Sequence, residues 1–169
     1  MAHALETIIR NTDKFVIIGD SSEKRFPAMS YHSYTKVGKQ FYCLDLGGLK
    51  ESRGFTKGGK IYHSVEELPD DRSDLAIIWV KPRSAANAVE IAHKAGAKRI
   101  WFNFKTGHPT AVNRAKALDM EVVEIGRCPV LYMDEMVPAC RAHTLAVKLT
   151  GTYKRPPQTD PHAKRREML

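Results

Sequence analysis

Lys14-Phe-Val-Ile-Ile-Gly-Asp-Ser-Ser-Glu-Lys-Arg-Phe-Pro27 joins a short apolar run to a polar, basic loop. Residues 15–18 show no polar alternation, which is typical of a strand buried on both faces in a parallel sheet. Gly19 marks the point where the backbone turns tightly or lets a ligand approach. The loop that follows offers backbone N–H groups, two hydroxyl groups and two cations, all suited to anionic oxygens: Ser21, Ser22, Lys24 and Arg25. This stretch predicts a strand that leads into a binding loop for a phosphorylated ligand rather than a metal.

The size and composition of the chain favour one domain. Its 169 residues are 43% hydrophobic and 27% charged, which suffices for one well-formed core but is short for two. We expect the domain over residues 1–149, with an N-terminal helix within residues 1–13 packed on it, and a basic, flexible tail over 150–169.

The sequence contains neither a membrane segment nor a disulfide pattern. No apolar run approaches the roughly 20 residues that span a bilayer, and the first residues lack a basic segment followed by an apolar one. The three cysteines are widely spaced, which argues against a disulfide framework or a Cys-x-x-Cys site. We expect a cytoplasmic protein.

The formal net charge of +8 suits an anionic small molecule or a nucleic acid. Nucleic-acid binding would be better supported by a basic stripe interleaved with aromatic residues or by a recognisable module, and the sequence has neither. A small anionic ligand is therefore the favoured partner.

The remaining sequence alternates apolar runs with helical patterns. The periodicity predicts buried strands within residues 14–19, 41–46, 75–80, 99–103 and 121–125, and a short extended piece at 60–62. It predicts helices within 3–12, 30–37, 85–96, after Pro109 and within 138–149, and a one-turn helix with a capping box at 64–67. In the last long helix we expect one apolar face to pack inward: Ala142, Leu145, Ala146 and Leu149.

This alternation predicts an α/β fold, a doubly wound, five-stranded, mainly parallel sheet with helices on both faces. Ligands of such sheets bind beyond the carboxyl ends of the strands, near the point where the strand order reverses. The candidate binding loops are therefore residues 19–27, 45–50, 81–83 and 103–108.

Four motifs in register carry a resemblance to a known family. They are Gly-x-Ser…Arg…Pro…Ser-Tyr after the first strand, Ser-x-Glu-Glu-Leu-Pro at 64–69, Lys-Pro-Arg at 81–83 and Arg-Cys-Pro at 127–129. Together they resemble the small stand-alone CoA-binding-domain proteins, which are similar to the Rossmann-like CoA-binding domain of the succinyl-CoA synthetase alpha subunit. The resemblance covers roughly residues 14–133 and implies binding of CoA or an acyl-CoA.

The resemblance also implies which residues lie at the ligand. We expect them in the four loops and at the strand ends: Gly19, Asp20, Ser21, Ser22, Lys24, Arg25, Asp45, Val80, Lys81, Pro82, Arg83 and Asn103. Asp45 stands where the family more often has a neutral Asn-Pro pair. An acid at the end of a second strand prefers a free ribose diol, as in NAD, and repels a ribose phosphate, although Lys50, Arg53 or Lys57 could offset its charge.

The sequence contains no strong catalytic pattern. The synthetase's catalytic histidine belongs to a second domain that this sequence does not include, so we expect no ligase activity. Cys128 with His108 is a weak candidate nucleophile and base, and the histidine spacing matches no metal motif. Two alternatives remain open: an NAD-type nucleotide-binding protein or oxidoreductase, and a ligand-free protein-interaction module. The exposed edges of a parallel sheet also allow a homodimer.

Overall fold

The computed structural model describes residues 2–25, 28–49, 60–72 and 74–160, without the side chains of residues 28–30. Within this part of the chain, six strands form one sheet: β1 (Lys14–Gly19), β2 (Gln40–Asp45), β3 (Ile61–Tyr62), β4 (Leu75–Trp79), β5 (Arg99–Phe102) and β6 (Glu121–Ile125). Five α-helices accompany it: α1 (Ala4–Asn11), α2 (Ala28–Lys36), α3 (Ala85–Lys94), α4 (Pro109–Ala117) and α5 (Pro138–Leu149).

The strands lie in the order β3-β2-β1-β4-β5-β6, and every neighbouring pair is parallel. The doubly wound α/β prediction is confirmed, with one correction: the sheet has six strands, because the short extended piece before His63 pairs with β2 as an edge strand. The order reverses between β1 and β4, where Gly19 lies beside both Asp45 and Trp79. That point is where a doubly wound sheet opens a crevice for a ligand.

The two faces of the sheet form separate cores. Helices α3 and α4 cover one face, which is built largely of small and aliphatic side chains. Helices α1, α2 and α5 lie on the other face, over an aromatic cluster that includes Tyr31, Tyr34 and Trp101. These three side chains are buried, which confirms that they are core residues.

Two helix predictions differ from the structure. The motif at residues 64–67 forms bends and a turn instead of a helix. The Glu67 carboxylate accepts from the His63 N–H (3.2 Å). Helix α2 begins at Ala28, two residues before the predicted N-cap Ser30.

The chain after α5 contacts the body of the domain instead of leaving it. The Arg127 guanidinium donates to the Arg155 carbonyl (3.1 Å) and to the Pro156 carbonyl, and the Gln158 N–H donates to Glu124 (2.8 Å). The expected flexible tail therefore starts with a docked segment, held by the buried Glu124–Arg127 pair. Residues 161–169 lie outside the described part.

The buried face of α5 is not the predicted one. Thr144 and Val147 are buried, whereas Leu145 and Leu149 are exposed. Helix α5 packs on the core through Thr144 and Val147. The Thr144 hydroxyl donates to the sulfur of Met136, a residue of that core (3.1 Å). Among the described residues, no helix is long and apolar enough to cross a membrane.

Candidate functional site

The candidate site lies at the carboxyl edge of the sheet, around the junction of β1 and β4. The loops after β1, β2, β4 and β5 all emerge at this edge because the strands are parallel. The topology therefore brings together the four loops that carry the predicted site residues.

The loop after β1 is tightly closed by its own first residue. The Asp20 carboxylate accepts from the Ser22 N–H (3.0 Å), the Ser22 hydroxyl (2.5 Å) and the Glu23 N–H (3.3 Å). The backbones of Asp20 and Arg25 exchange two hydrogen bonds (2.7 and 2.8 Å). Asp20 is therefore the cap of the short 3₁₀ turn at Ser21–Glu23, a structural role that the sequence did not reveal.

Asp45, at the end of β2, holds two loops together. One carboxylate oxygen accepts from the Ser21 N–H (2.7 Å), and the other from the Ser21 hydroxyl (2.7 Å) and the Leu49 N–H (2.6 Å). The residue is only 2% exposed. Both carboxylate oxygens thus accept hydrogen bonds from neighbouring loops. An NAD-type protein would present a carboxylate at this position to a ribose diol. Lys50, Arg53 and Lys57 lie outside the described residues.

Glu23 links the first loop to the loop after β4. Its carboxylate accepts from Arg83 Nε (2.8 Å) and also from Arg83 Nη2, and lies 3.9 Å from Lys81 Nζ. Its side chain is 8% exposed. The two cations predicted from the Lys-Pro-Arg motif are therefore placed at the crevice, but their charge is partly neutralised.

Lys24 and Arg25 carry the charge that is not neutralised. Within the described part of the chain, no carboxylate lies within ion-pair distance of either side chain. Lys24 is exposed and has a left-handed backbone (φ 56°), which turns the loop back toward β1. The Ser21 and Ser22 hydroxyls donate to Asp45 and Asp20, so these two cations are the groups of the loop that are left for an anion.

The remaining predicted residues support the loops. Val80 is buried, and Pro82 is exposed at the first position of a 3₁₀ turn. The buried Asn103 side chain accepts from the Phe104 N–H (2.7 Å) and orders the loop after β5. His108 caps α4 by accepting from the Thr110 N–H (3.3 Å). No cluster of metal-ligating side chains occurs among the described residues.

Three residues at this edge were missed by sequence reasoning. They are Glu23, Gly47 and Trp79, whose buried indole N–H has no hydrogen-bond partner among the described residues. Glu23 had a signal, because an acid directly beside two cations in a loop invites an ion pair. Gly47 lies within the predicted loop 45–50 but was not named as a site residue. Trp79 had no signal, since its place follows from strand pairing.

Residues 14–134 match the model of a protein family described as a CoA binding domain. The match begins at the first residue of β1 and includes all four loops of the candidate site. The chain belongs to the CoA-binding-domain family. The resemblance inferred from the four motifs is thereby confirmed.

Solved structures share the fold of this chain. A hypothetical protein from Pyrococcus horikoshii OT3 is 25% identical, with a TM-score of 0.63 over 76% of this chain and 86% of that chain. A protein redesigned for binding is 27% identical over the same shares, with a TM-score of 0.60. A conserved hypothetical protein from Pyrococcus furiosus, 23% identical over 70% of this chain and 97% of its own, shares the fold with a TM-score of 0.56. No curated protein matches the sequence.

The CoA-binding domain requires glycine at position 47. A Cβ atom there would lie 2.4 Å from Ser22 N, 2.6 Å from Ser21 Oγ and 2.9 Å from Asp20 Oδ1. Gly47→Ala should therefore push the two loops apart, lower the free energy of unfolding by about 1–3 kcal/mol and weaken ligand binding. Urea unfolding and calorimetric titration with CoA measure the two effects.

Gly38→Ala is the matched control for this substitution. Gly38 precedes β2, at the opposite edge of the sheet, and a Cβ there meets no atom within 4 Å, although its φ of +72° strains any L residue. Gly38→Ala should lower the free energy of unfolding through backbone strain without changing the affinity for CoA. Equal losses of binding in both variants would contradict the role given to Gly47.

Proposed function

We propose that this chain binds CoA or an acyl-CoA without catalysing a reaction, at the crevice between the loops after β1 and β4. The observation that carries the proposal is the family match over residues 14–134, which includes every loop at the point where the strand order reverses. In this architecture nucleotides bind at that point.

The charge distribution at the crevice supports a ligand with several phosphates. CoA carries a pyrophosphate and a ribose 3′-phosphate, which are held by hydroxyl groups, N–H groups and cations. Lys24 and Arg25 supply unneutralised charge in the first loop, and Lys81 and Arg83 approach the same loop at Glu23. A four-loop site of this kind suits an extended nucleotide better than a single phosphate.

The hydrogen-bonding pattern supports a non-catalytic role. The carboxylates of Asp20 and Asp45 accept hydrogen bonds from loop N–H and hydroxyl groups, and His108 Nδ1 accepts from the Thr110 N–H. The two carboxylates are occupied in holding the loops, and the candidate base His108 caps α4 through Nδ1. The same occupation of Asp45 argues against NAD, whose ribose diol would need that carboxylate.

Thermal melting with CoA, acetyl-CoA, NAD and NADP in separate samples tests the proposal. A ligand at about 100 times its dissociation constant stabilises the folded state by about 2.7 kcal/mol, which raises the melting temperature by roughly 5–10 °C in a domain of this size. We expect that shift with CoA or acetyl-CoA and not with NAD. A shift with NAD alone, or none with any compound, would overturn the proposal.

Arg25→Ala tests whether the first loop holds the phosphates. We expect CoA affinity to fall about tenfold, because one charge-assisted contact is lost. Lys98→Ala is the matched control: Lys98 is exposed just before β5, at the opposite edge, so the net charge changes equally while affinity stays the same. Equal losses in both variants would indicate a general charge effect. Calorimetric titration measures both.

Glu23→Gln should strengthen CoA binding, by roughly threefold. The Glu23 carboxylate holds Arg83 and lies near Lys81, and it adds a negative charge where ligand phosphates are expected. The amide removes that charge and releases both cations for the ligand. Glu90→Gln, which breaks the pair with Arg114 on α3 and α4, is the control and should leave affinity unchanged. Weaker binding by Glu23→Gln would show that Glu23 positions the two cations instead of competing for them.

A further inference from the structure

Helix α5 turns its most apolar face away from the core. The Leu145 side chain is 60% exposed and the Leu149 side chain is 79% exposed. Ala142 and Ala146 lie on the same face and are exposed as well. In the part of the chain that the structure describes, these two leucines are the only exposed large hydrophobic residues. This face, defined by these four residues, is called the outer face.

The outer face has the spacing by which helices pack on each other. Three residues of this face, together with Pro138 one turn before them, are separated by four, three and four residues: Pro138, Ala142, Leu145 and Leu149. This spacing is the seam pattern of paired helices. The buried stripe, at Thr144 and Val147, is a different one. Helix α5 therefore packs on the core through one stripe and exposes a second stripe that suits another helix. The helix is about 18 Å long.

The charges beside the outer face are positive. Helix α5 contains no acidic residue, and its basic side chains Arg141 and Lys148 are exposed and seven residues apart. Lys148 Nζ also lies 4.9 Å from the centre of the Tyr153 ring. Arg141 and Lys148 flank the seam on one side. A partner helix would gain from carboxylates at the matching positions, as in pairs of helices selected by flanking charges.

The two acids that precede the helix are paired elsewhere. Asp134 and Glu135 precede the helix, but Asp134 pairs with Arg10, and Glu135 pairs with Lys36 at 3.3 Å. Among the described residues, no ion pair links a carboxylate to Arg141 or Lys148.

A second copy of the chain fits this face poorly. An antiparallel pair of α5 helices would set Arg141 of each copy near Lys148 of the other, and like charges facing each other oppose association. The stripe of two leucines and two alanines is also small beside the roughly 800 Å² that each partner buries in a stable complex. These features favour a transient contact with a different protein.

We propose that the outer face of α5 is a docking surface for an acidic amphipathic helix of a partner protein. The partner would place an apolar stripe over Leu145 and Leu149 and carboxylates near Arg141 and Lys148. This surface is built from residues of α5 alone, and the proposal does not depend on the identity of the ligand at the crevice.

Two designed peptides test the proposal on the full chain. Each is an amphipathic helix of about 20 residues with leucine at the seam positions; one has glutamate at the flanking positions and the other lysine. Fluorescence anisotropy should show saturable binding of the glutamate peptide only, weakened at high salt. The double substitution Leu145→Gln and Leu149→Gln should reduce affinity at least about tenfold, and Arg141→Glu with Lys148→Glu should reverse the preference toward the lysine peptide.

The control is a double substitution on another helix. Asn113→Gln with Ala117→Gln changes two exposed positions of α4 with the same spacing and should leave peptide binding unchanged. Binding of both peptides alike, or of neither, would overturn the proposal. So would a dimer in sedimentation, or binding to anionic lipid vesicles, that is lost with the leucine substitutions, because the occupant would then be a second copy or a membrane.

Discussion

Arg127→Met is expected to lower the free energy of unfolding by about 3–5 kcal/mol, the usual cost of breaking a buried ion pair on one side. The Arg127 and Glu124 side chains are 2% and 0% exposed, and Arg127 Nη2 lies 2.8 Å from Glu124 Oε2. The guanidinium also donates to the Tyr132 hydroxyl (2.8 Å) and to the carbonyls of the docked segment. Urea unfolding should show the loss, and the melting temperature should fall by roughly 10 °C.

The loss should depend on pH. Burial raises the pKa of the Glu124 carboxyl, although Arg127 opposes the rise; without Arg127 the pKa rises further. A carboxyl whose pKa is raised by folding destabilises the folded state as pH climbs above its ordinary value. The difference in the free energy of unfolding between the unmodified protein and Arg127→Met should therefore be smaller at pH 5 than at pH 8.

Two comparison variants separate the buried pair from ion pairs in general. Arg99→Met breaks a partly exposed pair with Asp74 (2.6 Å) and should cost at most about 1 kcal/mol. Glu124→Leu combined with Arg127→Met removes both charges and should be more stable than Arg127→Met alone. If Arg99→Met lowers the free energy of unfolding as much as Arg127→Met does, the buried pair stabilises this fold no more than an exposed one.

Asp45→Asn is expected to weaken CoA binding by about 10–100-fold, the equivalent of one hydrogen bond to a charged group. Its two carboxylate oxygens accept three hydrogen bonds, from the Ser21 N–H, the Ser21 hydroxyl and the Leu49 N–H. In Asp45→Asn, the amide NH₂ group would face a hydrogen-bond donor in place of a carboxylate oxygen. The loops after β1 and β2 would then separate. Asp45 would thus be a positioning residue for the binding loop.

Comparing CoA with its 3′-dephospho form tests this role for Asp45. A positioning role predicts the same loss of affinity for both compounds, together with a loss of stability. Direct repulsion of the ribose phosphate would instead make Asp45→Asn bind CoA more tightly and leave the dephospho form unchanged. Asp70→Asn, at an exposed residue 3.5 Å from Arg72, is the control and should change neither affinity.

Much of the fold could be predicted from local patterns. Unbroken apolar runs such as Leu75–Trp79 are strands because they are buried on both faces, and β6 and α5 have the predicted bounds. Edge strand β3 was underestimated because two residues carry little periodicity. The turn at 64–67 was predicted as a helix because a capping motif specifies only the start of a helix and not its continuation.

The sequence by itself determined the fold class, the four loops and the family, because hydrophobic periodicity and loop motifs are local properties. Only the tertiary structure decided which partner each polar group takes. Asp45 meets Ser21 because β1 and β2 are adjacent in register, and Glu23 meets Arg83 because β4 lies on the other side of β1. Likewise, helical periodicity marks the apolar stripe at Leu145 and Leu149, but the packing of α5 on its neighbours decided that this stripe faces outward.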